Sequence, residues 1–223
     1  MTSLRRARLA PPTTRIVARR PVDTDRPAAL TSITKRVLDI VLAIILLVLS
    51  SPIWIIAIAT IKLASPGPAL FRQRRIGLNG EAFTCLKFRT MHHGASEDAH
   101  KRLVTRMIRQ RKTSTSGAAR LFKLEGDSRI ISAARWLRAT SLDEVPQLIN
   151  VLRGDMSIVG PRPPLPYEVA HYEDWQKERL TVRPGITGLW QVSGRNRLTY
   201  NEMCTMDVRY IRTWSIATDL MII

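Results

Sequence analysis

"VLAIILLVLSSPIWIIAIATI" runs from Val41 to Ile61, and its reading decides the fold. Between Asp39 and Lys62 lie 22 residues without a charge. As a helix rising about 1.5 Å per residue they cover roughly 33 Å, enough for the hydrocarbon core of a bilayer. A helix buried in a soluble core is the alternative, but such helices rarely keep so long a run free of charge. Ser50, Ser51 and Pro52 interrupt the run near its middle. Proline removes a backbone donor and crowds the preceding turn, so a kink is expected at Ser51-Pro52. The serine hydroxyls can satisfy the carbonyls that the kink frees. Each arm is then only about 10–12 residues long, short for a full crossing. Both flanks are positive, with Lys35 and Arg36 before the run and Lys62, Arg72, Arg74 and Arg75 after it. Positive flanks favour the cytoplasmic side. A kinked, re-entrant hairpin meets both constraints, whereas a straight span meets one.

Upstream, residues 1–34 hold seven arginines and two aspartates, many Pro, Thr and Ala, and no apolar period. They read as a basic disordered arm and lack the apolar core of a signal peptide. The whole chain has 223 residues, a net charge of +17 and 45% apolar residues. That charge points to an anionic partner: nucleic acid, a lipid surface or a phosphorylated substrate. No helix-turn-helix or aromatic-rich sheet motif supports nucleic acid. The only cysteines, Cys85 and Cys204, lack C-x-x-C spacing, which argues against a zinc site or a disulfide framework. His92 and His93 are not at the i, i+4 spacing of a helical metal pair.

Downstream, Ala69–Arg72 and Ala82–Phe88 read as strands of a hairpin around Leu78-Asn79-Gly80. Helices are expected over residues 96–117 in part, and over 129–139, 144–153, 167–180 and 199–213. The glycine-rich stretch 182–196 reads as irregular. The expected fold is thus α-rich α+β. A kinked membrane helix over 35–62 leads into a helical domain over 63–223 that carries a small β-hairpin.

Two adjacent acids, Asp143 and Glu144, stand in "TSLDEVPQLINVLRGDMSIVGPRP", residues 140–163. Ser141 and Glu144 fit a capping box, which is a structural reason for acid at that place. Around them lie basic clusters: "KFRTM" with Lys87 and Arg89 and, on Pro/Gly loops, "GPRPP" with Arg162, "RPGITG" with Arg183, and "SGRNR" with Arg195 and Arg197. A guanidinium held on a rigid loop keeps its fork aimed, which suits paired phosphate oxygens. A helix start beside Asp143 would favour phosphate and lower the carboxylate pKa. Asp143 is then an ionised nucleophile or a ligand for Mg²⁺. Neighbouring residues cannot readily flank a sugar ring, so a glycosidase pair is excluded.

With "KRVLDIVLA", "FRQRRIGLNGEAF", "LRATSLDEVPQLINVLRGDMSIVGPRP", "VRPGITGLWQVSGRN" and "WSIATDL" also present, the chain from Lys35 onward resembles the bacterial sugar transferase family, the monotopic polyprenyl-phosphate phosphoglycosyl transferases. The resemblance implies that Asp143 and Glu144 are the catalytic dyad and hold Mg²⁺. Asp143 would attack the β-phosphate of a UDP-sugar and form a covalent phosphosugar, which polyprenyl phosphate then accepts. It also implies a re-entrant helix, with both ends cytoplasmic. The substrate-binding set is read as Lys87, Arg89, Arg129, Arg162, Arg183, Gly185, Thr187, Gln191 and Arg195. Implied partners are a UDP-sugar, polyprenyl phosphate, membrane lipids and a second copy in a homodimer. The implied place is the bacterial inner membrane, with the catalytic domain on its cytoplasmic face. The family usually continues past "DL" with a longer tail, and its smallest members have a shorter, less basic segment between His92 and Gly126. The rival reading is a non-catalytic membrane scaffold that binds anionic lipid.

Overall fold

In the computed structural model the described residues are 33–92, 94, 98–109, 129–194 and 198–223. Residues 1–32 of the basic arm, residues 96–97 and 110–117 of the 96–117 segment, and Arg195 fall outside them. Helices α1 (Ile33–Leu49) and α2 (Ser51–Ala64) are bent by 59° at Ser50. No single described helix is long and apolar enough to cross a membrane; the bent pair is, by length and composition. The bend follows from sequence, because Pro52 stands in the first turn of α2, where a missing N–H costs nothing. Ser50 Oγ donates to the Leu47 carbonyl at 3.3 Å, so Ser50 is the serine that serves the break. Around the bend the surface is apolar: Val48, Leu49, Ile55 and Ile56 are all more than half exposed.

Both feet of this hairpin are fixed to the same body. At the foot of α1, Lys35 Nζ lies 2.7 Å from Asp219 Oδ2 and 3.2 Å from Asp39 Oδ1. Asp39 also accepts from Ser157 Oγ at 2.8 Å and from the Ile158 N–H at 3.1 Å. Charges buried this deeply persist only when paired and hydrogen-bonded, so the foot has one admissible seat. At the foot of α2, Ala57 and Ile61 are fully buried in a cluster with Phe88, Ile131 and Leu137. Trp54 meets Phe88 edge-on, ring centres 5.0 Å apart.

Strands β1 (Leu70–Ile76) and β2 (Ala82–Phe88) pair antiparallel, with Gln73 opposite Cys85 and Arg75 opposite Phe83. Strand β1 is longer than its apolar pattern indicates, because Arg72 and Arg74 face solvent while Arg75 is buried. Next come α3 (Asp98–Arg109) and α4 (Arg135–Ala139), the latter much shorter than the expected 129–139 helix. The acidic pair lies in a single 3₁₀ turn, Leu142–Glu144. Helix α5 (Gln147–Arg153) begins only after Pro146, not at Glu144. The expected capping box does not form: Ser141 is left-handed, with φ +62°, and makes no side-chain cap.

Strands β3 (Ser157–Val159) and β4 (Gly185–Thr187) form a parallel pair, and β4 lies inside the 182–196 stretch expected to be irregular. Between them, the expected 167–180 helix is instead α6 (Pro166–Val169) and a 3₁₀ segment, Asp174–Leu180. The chain closes with α7 (Leu189–Val192), α8 (Tyr200–Arg212) and α9 (Ile216–Ile222). Among the described residues the result is helix-rich α+β with two small sheets.

Candidate active site

Strand β2 supplies one wall. Alternation puts Cys85 and Lys87 on the same face as Gln73 and Arg75 across the hairpin. The edge of β2 away from β1 is fastened by Asn150 of α5, whose Oδ1 accepts from the Leu86 N–H at 3.0 Å and whose Nδ2 donates to the Thr84 carbonyl at 2.7 Å. That pair of bonds sets the hairpin's height against α5. As a result Lys87 Nζ reaches Glu144 Oε1 at 2.8 Å, with both side chains about four-fifths buried.

An open pocket of about 240 Å³ forms over this ion pair. Three cations line it, Arg75, Lys87 and Arg162, against the carboxylate of Glu144. Arg75 is pinned: its Nη1 donates to the Pro163 carbonyl at 2.8 Å and its Nη2 to Gln73 Oε1 at 2.7 Å. Burial, and then the neighbouring Arg162, lower its pKa from the usual guanidinium value. Cys85 lines the same wall, and burial raises its thiol pKa, so it stays protonated near neutral pH and is no rival nucleophile.

The opposite wall consists of two loops touching backbone to backbone. A Cβ on Gly185 would lie 2.1 Å from the Gly160 nitrogen, and one on Gly188 would lie 2.5 Å from the Gly160 oxygen. Glycine is required there by close approach, which accounts for both "GPRP" and "RPGITG". The Gly160 N–H donates to the Thr187 carbonyl at 2.9 Å, and the Gly185 N–H to the Pro161 carbonyl at 2.8 Å. Behind the loop, the buried Arg179 Nη2 donates to the Arg162 carbonyl at 3.2 Å and pairs with Asp207 at 2.8 Å. Arg179 Nη1 also donates to the Tyr172 hydroxyl. Arg162 is thus carried on a braced loop. Gln191 closes the pocket, with Nε2 donating to the Ile186 carbonyl at 3.1 Å and Oε1 a buried acceptor without a hydrogen bond among the described residues.

Of the residues expected from sequence, Lys87, Glu144, Arg162, Gly185 and Gln191 meet at this pocket. Asp143 shares the 3₁₀ turn with Glu144 but is not among the lining residues. Arg89 is not in the pocket: it is buried, and its two Nη atoms donate to the carbonyls of Ser65 and Pro66, bracing the turn after α2. Arg129 stands at the bridge between Met91 and Ile130, its carbonyl accepting from the His92 N–H. Thr187 contributes backbone to the loop contact. Arg183 lies in a different cleft, with Nε donating to the Gly154 carbonyl at 2.9 Å. Sequence reading missed Arg75, Gln147 and the bracing Arg179. Among the described residues no cluster of three or more His, Cys, Asp or Glu could hold a metal ion. Two carboxylates side by side suffice only for an ion that brings other ligands, which suits Mg²⁺ arriving on phosphate oxygens.

A family model described as "Bacterial sugar transferase" matches residues 30–223. The chain is 37% identical to the exopolysaccharide production protein ExoY of Sinorhizobium fredii, over 91% of this chain and 88% of that protein. It is 41% identical to a UDP-glucose:undecaprenyl-phosphate glucose-1-phosphate transferase of Caulobacter vibrioides, over 95% and 74%. It is 44% identical to the galactosyl transferase CpsE of Streptococcus agalactiae over 86% of this chain, which spans 40% of that protein. By the extent of the family match and by these identities, the chain belongs to the bacterial sugar transferase family.

Proposed function

We propose that the protein transfers a sugar 1-phosphate from a UDP-sugar to polyprenyl phosphate, of the undecaprenyl type. This would be the initiating step of an exopolysaccharide, capsule, O-antigen or glycoprotein glycan. The observation that carries the reading is the pocket in which Lys87, Arg75 and Arg162 surround the acid turn. Three cations about one carboxylate suit a diphosphate, and two of them are held rigid before any ligand arrives.

Asp143 is the proposed nucleophile. One of its carboxylate oxygens forms a bond to the β-phosphorus, and the bond from that phosphorus to the bridging oxygen breaks. UMP leaves with the bridging oxygen and its electron pair. An oxygen of polyprenyl phosphate then attacks the same phosphorus, releasing the Asp143 carboxylate and giving polyprenyl diphosphate-sugar. Arg162 and Arg75 hold the phosphate oxygens, and Lys87 holds Glu144 beside Asp143. Mg²⁺ held by Asp143, Glu144 and the donor's phosphates would offset the repulsion between carboxylate and diphosphate.

The bent hairpin is proposed to dip into the cytoplasmic leaflet of the bacterial inner membrane and return. Both feet docked on one body, with an exposed apolar tip between them, support re-entry over crossing. The domain then works on the cytoplasmic face, where a soluble UDP-sugar and a lipid phosphate can meet.

The test is UMP release from a panel of UDP-glucose, UDP-galactose and N-acetylated UDP-sugars with undecaprenyl phosphate in nanodiscs. Release with at least one sugar that depends on the lipid and stops in excess EDTA is expected. No lipid-linked product from any UDP-sugar would favour the scaffold reading.

A further inference from the structure

A second cleft, of about 280 Å³, opens at the foot of α1 and shares no lining residue with the donor pocket. Two guanidiniums meet there. Arg36 Nη1 donates to the Val151 carbonyl at 2.7 Å and its Nη2 to the Leu152 carbonyl at 3.1 Å. Arg183 Nε donates to the Gly154 carbonyl at 2.9 Å. Both guanidiniums therefore sit on carbonyls at the end of α5, Arg36 on its last turn and Arg183 on Gly154 just past it. Capping a helix end is a sufficient reason for one cation. It does not explain two, since the second repels the first. Nor does it use Nη1 and Nη2 of Arg183, which have no partner among the described residues.

The other charges of the cleft are already engaged. Asp39 accepts from Lys35, Ser157 and Ile158, and Lys35 also pairs with Asp219. The remaining charge is that of the two arginines. Val159 and Val182 supply an apolar wall beside them. On the outer surface of the same turns Ile33 is 84% exposed and Val37 53%. A doubled guanidinium beside exposed aliphatic surface is the chemistry of a phosphate carried on an amphiphile.

We propose that Arg36 and Arg183 form a second anion site, which takes the phosphate of an anionic lipid headgroup at the foot of α1. This rests on the membrane placement of the hairpin proposed above, but its test needs neither a bilayer nor turnover. Bound phosphate would bridge the two guanidiniums and tie α1 to the end of α5, fixing the hairpin to the domain at the level of the headgroups.

The full-length protein in maltoside is titrated with dihexanoyl phosphatidylglycerol, dihexanoyl phosphatidylcholine or inorganic phosphate, and tryptophan fluorescence follows thermal unfolding. Phosphatidylglycerol is expected to raise Tm saturably, by mass action, and phosphatidylcholine is not. In Arg36→Gln and Arg183→Gln the midpoint of that response should move up by about tenfold or more. Arg183→Lys keeps the charge but not the fork, and should raise the midpoint about threefold; it decides the matter if the glutamine variants do not fold. An unchanged response in the Arg183 variants, or an equal response to phosphatidylcholine, overturns the site. A rise with inorganic phosphate as large as with the lipid, lost in the same variants, overturns the lipid assignment.

Discussion

Lys87 Nζ and Glu144 Oε1, 57 residues apart in sequence, stand 2.8 Å apart across the wall of the pocket. The contact joins strand β2 to the acid turn, and Asn150 ties the same strand to α5, the helix that follows that turn. A half-exposed pair would add little, but this one is mostly buried and faces the proposed phosphate site.

Replacing Lys87 with glutamine should therefore lower kcat/KM for the UDP-sugar by about a hundredfold or more, as loss of one preorganised cation does. Glu144 loses its partner at the same time. Circular dichroism should match the wild type. A loss under threefold would remove Lys87 from the site.

Gly185→Ala tests the second wall. The added carbon would overlap the Gly160 backbone at 2.1 Å, and backbone cannot step aside as a side chain can. A loss of about 3 kcal/mol or more is expected, at the upper end for overpacking. Gly194→Ala meets no atom within 4 Å and only carries the strain of φ +122°, about 1 kcal/mol. Thermal unfolding in detergent ranks the two, and equal losses would contradict the backbone contact.

This wall also marks where sequence reading ran out. Strand β2 was legible to the residue, because its alternation is local and a turn precedes it. The β3–β4 pair was not: each strand has three residues, and each pairs with a segment more than two dozen positions away. The 167–180 stretch has apolar residues at helical spacing, yet its chain turns at Ala170-His171 and restarts with a capping box from Glu173 to Gln176. Arg75 sits among look-alike arginines in "FRQRR", and only the hairpin register separates the buried one from those in solvent. Arg183 looked equivalent to Arg162 because both stand beside Pro, and Arg89 was grouped with them although "KFRTM" holds neither Pro nor Gly. The partners of Arg89 and Arg183 are distant carbonyls that no local pattern reveals.

Topology gives a third prediction. Cysteines placed singly within the first 30 residues should resist a membrane-impermeant thiol reagent on intact cells, because both feet of the hairpin share one body. Replacing Ser51 by Leu and Pro52 by Ala together removes a break that disfavours a continuous helix by about 3 kcal/mol. Labelling should then appear, and adding Lys35→Ala, which frees the foot from Asp219, should increase it. Labelling of the wild-type arm from outside would contradict re-entry.

The brace behind Arg162 gives a pH dependence. Burial pushes the Asp207 carboxyl up to about 6, with Arg179 pulling the other way. The folded state thus holds this proton more tightly than the unfolded chain. The stability it contributes is complete below about pH 4 and is lost as pH rises through about 6. Comparing Tm from pH 4 to 7 for the wild type and Asp207→Asn should show this decline only in the wild type. Parallel curves would contradict the assignment.

The central claim is that Asp143 carries the sugar phosphate, and intact-protein mass spectrometry tests it most directly. Incubated with Mg²⁺ and a UDP-sugar that it accepts, but without lipid acceptor, the wild type should gain the mass of one sugar phosphate. Peptide mapping should place that mass on Asp143, and undecaprenyl phosphate should discharge it. Asp143→Asn should form no adduct and lose several powers of ten in turnover while remaining folded. An adduct on another residue, or rapid lipid-linked product from Asp143→Asn, would contradict the account.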